Sequence, residues 1–498
     1  MAAIDADTSG PDGDIQKIAD PDADNLAMTP YWQMTDAIVD GIGAMKAAKE
    51  TYLPKFPRED KDDYAFRLKS ATMTNIYRDI VESLASKPFT QQVEVLKADT
   101  RMSEIQENVD GRGNHLHVFL GETFYRGINS AIQWVLVDYP TINIDPDRPL
   151  SQADEAALGI RPYLVQVRAI DVLHVETLNM NGVEEFSYIR LLEHNNDGDK
   201  VRVFDRRNGP TEFRVYKKDA EKNLWYLSTS GTITIGVIPM VPFYTGRRKG
   251  NSWQFYPPMR DAADLQVESL QAETSLKYAR TLTCFPMLAA NGIVPDKNPD
   301  GTPKPLPQGM NVVLYAEPNG DGSFGNWTRI AADAASLKFL ADDVKARHEQ
   351  MRELGRQPLT AQSGNVTRIS AAFAANKGNS AVQAWAFGLK DAAEQMMKLM
   401  EMWLSNSTEP EVFIYTDFKV ESDDNKVPDV LMAMRTNNDL SQETLWLEMK
   451  GQRILSADFD PAKEAEKLAL EVPEPSPEEI AAAAGLPVPP KPVVIPPK

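Results

Sequence analysis

Two stretches, YPPMRDAADLQVESLQAETSLKYARTLTCFP (residues 256–286) and DAASLKFLADDVKARHEQMREL (residues 333–354), enclose a Pro- and Gly-rich excursion and decide the architecture. In the first, the Pro257-Pro258 pair suits a helix start. Leu265, Leu270, Leu276 and Leu282 then recur among Asp264, Glu268, Glu273, Lys277 and Arg280, as on an amphipathic helix running to Cys284. Phe285-Pro286 ends it. In the second, Asp333 is placed as N-cap, Leu337, Leu340, Val344, Met351 and Leu354 share one face, and Gly355 and Pro358 stop the helix. Between the arms, Pro295, Pro299, Gly301, Pro303, Pro305, Pro307 and Gly309 exclude a continuous helix, while residues 311–315 and 324–330 read as short strands. The sum is a helical hairpin carrying a docking tip.

Upstream of the hairpin, helical patterns cover residues 31–84, interrupted at Leu53-Pro54 and Phe56-Pro57, and residues 102–129. From Ile132 to Tyr244 the period changes to that of strands, at residues 134–137, 163–167, 172–178, 186–192, 201–204, 213–216 and 225–228. Downstream, a polar connection containing Ser363-Gly364-Asn365 leads into a long helix over residues 369–404, with Phe373, Val382, Trp385, Leu389, Met396, Met400 and Trp403 on its apolar face and a break expected at Gly378-Asn379. A strand at 412–415 and helices at 427–436 and 441–451 follow. Residues 1–30, with seven Asp and one Lys, are expected to be flexible, and the Pro-rich tail from residue 472 to be extended.

At 498 residues, 42% hydrophobic and 25% charged, the chain is long enough for a sizeable core and more than one substructure. No apolar run is long enough to span a bilayer and the N-terminus lacks a signal-peptide layout, so an intracellular or intraparticle protein is expected. The net charge of −19 argues against tight binding to nucleic acid, which depends on Lys and Arg displacing counterions, but permits transient contact. A single cysteine, Cys284, excludes an intrachain disulfide framework and a Cys-cluster metal site.

The search for catalysis finds no phosphate-binding Gly-x4-Gly-Lys-Ser/Thr loop, no Gly-x-Ser-x-Gly elbow and no His-Glu-x-x-His helix. His115 and His117 offer two ligands on a segment that reads as helical, too few for a metal site. The acidic pairs Asp62-Asp63, Asp342-Asp343 and Asp423-Asp424 would have to converge for metal-dependent hydrolysis, and sequence neighbours point to different faces. The expectation is a chain with no catalytic residues, no metal and no cofactor.

Four stretches in fixed order carry a family likeness: Tyr52-Leu53-Pro54 with Tyr64, Arg67, Asn75 and residues 84–89; WVLVDYP (134–140) with Arg161-Pro162-Tyr163; the arm 256–286; and residues 367–404. Leu440-Ser441-Gln442-Glu443-Thr444, with Gly451 and Ile454, fits the same ending. The chain resembles a tailed-bacteriophage portal protein, of the branch long described only as a phage domain of unknown function. The acidic N-terminal segment and the Pro-rich tail have no place in that pattern.

The resemblance implies an α+β portal-like fold: a wing (31–256, helical then β-rich, with the long helix 369–404), a two-helix stem (257–284 and 333–355), a small α/β clip (285–332), a tunnel loop (356–368) and a short C-terminal wing or crown (405–471). It implies a ring of about twelve copies at one capsid vertex. The implied partners are the terminase large subunit, a head-tail adaptor, the major capsid or scaffolding protein, and double-stranded DNA passing nonspecifically. In this scheme Gln362, Ser363, Asn365 and Arg368 touch DNA. Tyr315, Phe324 and Trp327 serve the clip or its partner, and Leu265, Leu276, Leu337, Leu340 and Val344 pack the stem. The competing expectations are a metal-dependent phage hydrolase or nuclease and a different virion adaptor, although adaptors are typically much shorter chains.

Overall fold

The computed structural model describes residues 11–140, 159–195, 198–219, 221–284, 287–291, 297–302, 325–330, 334–354, 368–406, 408–416, 418, 427–437, 439–451, 454–455 and 459–470. It is a mixed α+β protein of two compact units, residues 1–420 and 421–498.

The first unit is built around β2 (Ile132–Asp138), the centre of an antiparallel three-stranded sheet in the order β3 (Tyr163–Val167), β2, β9 (Met240–Tyr244). Its apolar run is buried on both faces, which is why it reads as continuous rather than alternating. One layer of cover comes from α1 (Ala23–Asp40), α4 (Ile76–Ser86) and α6 (Leu116–Ser130), and α9 (Arg368–Trp403) packs against β9, β2 and α6. Gly127 on α6 lets that helix approach the sheet closely, because a Cβ there would come within 2.4 Å of the Phe243 ring.

Shorter helices α2 (Ile42–Ala47), α3 (Lys61–Ser70) and α5 (Thr100–Gln106) complete the body. A second sheet is an antiparallel meander of β4 (Val172–Met180), β5 (Val183–Asn195), β6 (Gly198–Asp205), β7 (Glu212–Lys218) and β8 (Trp225–Thr232). β1 (Glu94–Leu96) pairs with β14 (Glu411–Phe413), and β10 (Arg247–Arg248) with β11 (Phe255–Tyr256). The second unit holds α10 (Val427–Thr436), α11 (Gln442–Gly451) and α12 (Pro461–Leu470), with Trp446 edge-on to Phe459 at 5.8 Å.

Two expectations need correction. The acidic start is not a flexible appendage over residues 11–30: α1 begins at Ala23, and Ile18 is fully buried. Composition misleads because its Asp residues are individually placed. The Asp12 carboxylate is wholly buried against Arg214 (2.7 Å) and Tyr216 (2.6 Å), Asp22 caps α1, and Asp24 accepts from the Trp253 amide at 2.6 Å. The break expected at Gly378-Asn379 is not found, since α9 runs uninterrupted for 36 residues. Leu53-Pro54 and Phe56-Pro57 do interrupt the helices, and the gap is closed by Arg67, which is 1% exposed. Arg67 forms a bidentate pair with Glu59 (2.7 and 2.8 Å), donates to the Pro54 carbonyl at 2.7 Å and lies over the Phe56 ring. Glu59 is thereby held below the usual carboxylate range.

Candidate functional site

The helical hairpin consists of α7 (Arg260–Cys284) and α8 (Ala334–Leu354), packed against each other, with β12 (Met287–Asn291) and β13 (Asn326–Ile330) as an antiparallel ribbon beyond them. Both arms are helical over the expected residues, and β13 falls on the expected strand. β12 was not expected, because Phe285-Pro286 and the prolines beyond it mask a five-residue strand.

The base of the hairpin is anchored by polar side chains. Gln266, fully buried, uses its side-chain amide as a clamp: Oε1 accepts from the Ile76 and Tyr77 amides (both 3.0 Å), and Nε2 donates to the Thr74 carbonyl (3.0 Å). Those amides are orphan donors at the start of α4, so a residue of α7 caps another helix. Two turns on, Glu273, 8% exposed, accepts from the Thr74 amide (3.0 Å) and hydroxyl (3.2 Å) and from Ser269 Oγ (3.2 Å). His348 of α8 closes the node, its Nε2 3.0 Å from both Ser269 Oγ and Glu273 Oε1. Arg347 pairs with Glu268 across the hairpin and with Asp343 at 2.9 Å on its own helix, and Arg352 reaches Asp79 of α4 at 3.7 Å.

Toward the tip the character changes. Lys277 and Arg280 are exposed, Leu337, Leu340 and Val344 are half-buried, and Phe339 is 72% exposed. Leu276 is buried, and Leu265 packs on the chain's own core. Trp327 sits on β13 opposite Ala290, and its buried indole N–H has no hydrogen-bond partner among the described residues. Tyr315, Phe324, Gln362, Ser363 and Asn365 lie outside the described residues, and Arg368 is described only as the first residue of α9.

Sequence reasoning missed the anchoring node. Gln266, Ser269, Glu273 and Thr274 recur at helical spacing on the buried face of α7, but a search for apolar periodicity passes over them. The available signal was the poor spacing of the leucines themselves, five and six residues apart on a 25-residue helix, which leaves its buried face to other residue types.

The described histidines have structural partners. His115 caps α6 by accepting from the His117 amide (3.1 Å), and His117 accepts from the Val93 amide (3.2 Å) with its ring edge-on to Phe89. Asp62 and Asp63 lie in the first turn of α3, Asp343 is paired with Arg347, and Asp423-Asp424 fall outside the described residues. Among the described residues no group of three or more His, Cys, Asp or Glu is placed to hold a metal ion, and no helix is long and apolar enough to cross a membrane.

Residues 258–404, the hairpin through the long helix, match a family profile described as a domain of unknown function, DUF4055. No curated protein matches the chain. Among solved structures it is similar to a chain from the neck of a native GTA particle computed with C12 symmetry, at 11% identity and TM-score 0.39 over 75% of this chain and 89% of that one. It is also similar to a chain of the virion of a native gene transfer agent particle (11% identity, TM-score 0.37, 89% and 99% covered) and to one from the neck of an empty GTA particle computed with C6 symmetry (10%, 0.37, 88% and 96%).

Proposed function

We propose that the chain is the portal subunit of a tailed-phage-like particle, forming a ring of about twelve copies around a channel at one capsid vertex. One observation carries the reading: a two-helix hairpin is fixed rigidly at its base by a buried polar node, yet leaves apolar side chains, Phe339 foremost, uncovered on its distal half. An exposed aromatic among half-buried aliphatic side chains on one short stretch suits an interaction surface, and a ring gives each hairpin a neighbour on either side. The placement of the hairpin before a long helix follows the portal order of stem, clip, stem, tunnel loop and wing helix.

In this reading the work is mechanical, and the chain itself makes and breaks no bonds. The segment beyond β12 and before β13 docks the terminase large subunit during packaging and a head-tail adaptor afterwards, with ATP hydrolysis belonging to the motor. The body meets the major capsid or scaffolding protein. The connection between α8 and α9, with Gln362, Ser363, Asn365 and Arg368, touches passing DNA through its phosphates without reading sequence. Assembly occurs in the host cytoplasm and the product resides in the virion.

Negative-stain imaging of the purified chain tests the reading. Rings with a central channel are expected, and a uniform population of open chains or compact monomers would count against it. Deleting residues 363–366 is expected to leave rings intact while particles lose packaging or DNA retention. Normal filling would refute the DNA-contact role.

A further inference from the structure

Residues 11–22 lie as a strap across the β4–β8 sheet, and the ways they are fastened differ in kind. At one end Asp12 is buried between Arg214 and Tyr216. In the middle, Ile18 is buried with Leu173, Tyr188, Val201, Val203 and Tyr216, and the Gln16 side-chain amide pairs with both the N–H and C=O of Trp225 at the sheet edge (3.0 Å each). Arg190 donates to the Ile18 carbonyl (3.1 Å). At the other end the Asp22 amide donates to the Leu173 carbonyl (2.9 Å) and its carboxylate meets His174 Nδ1 at 2.8 Å, the opposite ring nitrogen lying 3.0 Å from Glu176. Of these contacts the imidazole bridge alone depends on a group that titrates near neutrality.

We propose that His174 is a proton-operated latch: protonated, it bridges Asp22 of the strap to Glu176 of the sheet and holds residues 11–22 down, and deprotonated, it loosens that end, leaving it the backbone bond to Leu173. The inference is independent of the portal reading.

The geometry requires two donors for two carboxylates, which imidazolium provides and neutral imidazole does not. The charged groups facing the ring are Asp22 and Asp24 from the strap and α1, Glu176 on its own strand, Arg190 on β5, and Arg207, which lies 3.9 Å from Glu176 and over the Tyr188 ring. Tyr188 itself packs edge-on to His174 at 5.8 Å. The hydrogen bond to Asp22 is the largest influence and raises the affinity of His174 for its proton, against burial and the Arg190 charge. Asp22 is shifted the other way: burial pushes its carboxyl up, but the bonds from His174 and the Asn25 amide outweigh it. With the folded imidazole raised, the latch is fully closed below the ordinary histidine pKa and opens as pH rises through the folded value.

Hydrogen–deuterium exchange of the full chain, corrected for intrinsic rates and referenced to peptides of α6, reads the latch directly. Protection of residues 11–22 is expected to fall roughly tenfold between pH 5.5 and pH 8.5. His174→Phe should bring that ratio to near one. Asp22→Asn should do the same while keeping the helix cap, since Asn caps as well as Asp. Asp12→Asn should lower protection at both pH values and leave the ratio unchanged, and His194→Asn should change neither. A wild-type ratio near one, or a ratio that survives both His174→Phe and Asp22→Asn, would overturn the proposal.

Discussion

Along the first two-thirds of α7, Gln266, Ser269, Glu273 and Thr274 are buried against the body, whereas on the distal part of α8 Phe339 stands in solvent and Leu337, Leu340 and Val344 are only half covered. The five-stranded sheet goes further in the first direction: Arg214, 7% exposed, is held by Asp12, Asp205 and Glu212. The body thus buries charge and satisfies it internally, while the distal hairpin exposes apolar surface and leaves it uncovered. Burying charge is costly unless every partner is present, and exposing large apolar side chains is unfavourable unless another surface covers them. Large apolar side chains also stand in solvent on the body, Leu26, Phe66 and Phe387 among them, but among the described residues Phe339 is the most exposed.

If that contrast holds, substitutions in the body cost folding energy and those on the distal hairpin cost assembly. The largest effect is expected at Arg214→Ala, which strands two buried carboxylates and should destabilise the first unit by about 3–5 kcal/mol in denaturant titration. Glu273→Leu leaves the Thr74 amide and His348 without their acceptor. It should cost about 3 kcal/mol and loosen exchange protection around residues 74–77; a cost below ~1 kcal/mol would show that the hairpin is not anchored there.

Asp205 sharpens the comparison through pH. Burial pushes its carboxyl up, but hydrogen bonds from Arg207 and Arg214 outweigh burial and hold it down at about 2. Because the folded value is depressed, its contribution of ~2 kcal/mol is present above the ordinary Asp range and lost as pH falls toward 2. Asp205→Asn should therefore destabilise the protein at pH 6 and much less at pH 2.5. The smallest folding effect is expected at Phe339→Ser, below ~0.5 kcal/mol in the isolated chain. A large cost there would mean that α8 already has its cover.

The two sides of the contrast were unequally legible in the sequence. The second hairpin helix, the long helix and most strands of the meander follow from apolar period and from Pro and Gly stops, and the first hairpin helix from its Pro boundaries rather than from its leucines, because local patterning decides them. The polar node was hidden because a buried Glu or Gln looks like a solvent-facing residue until the distant segment it caps is in place. Thr74 and Glu273 are 199 residues apart. β1 was missed for the same reason: three residues form a strand only because Glu411–Phe413 returns to pair with them. The N-terminal strap was misread because composition counts Asp residues without knowing which Arg or His each one meets. Of the proposed DNA-contacting residues only Arg368 falls on a described element, and the sequence alone places the others.

The central claim is that the distal hairpin is completed by neighbouring copies. The most direct measurement is the solution mass of the wild-type chain and of a Leu340→Asp, Val344→Asp double variant, with thermal unfolding recorded on both. A closed ring of about twelve copies is expected for wild type, and for the variant folded monomers that still unfold cooperatively but at a lower Tm, because assembly stabilises only the wild type. Rings that persist in the variant, or a wild-type chain that stays monomeric at every concentration, would contradict it.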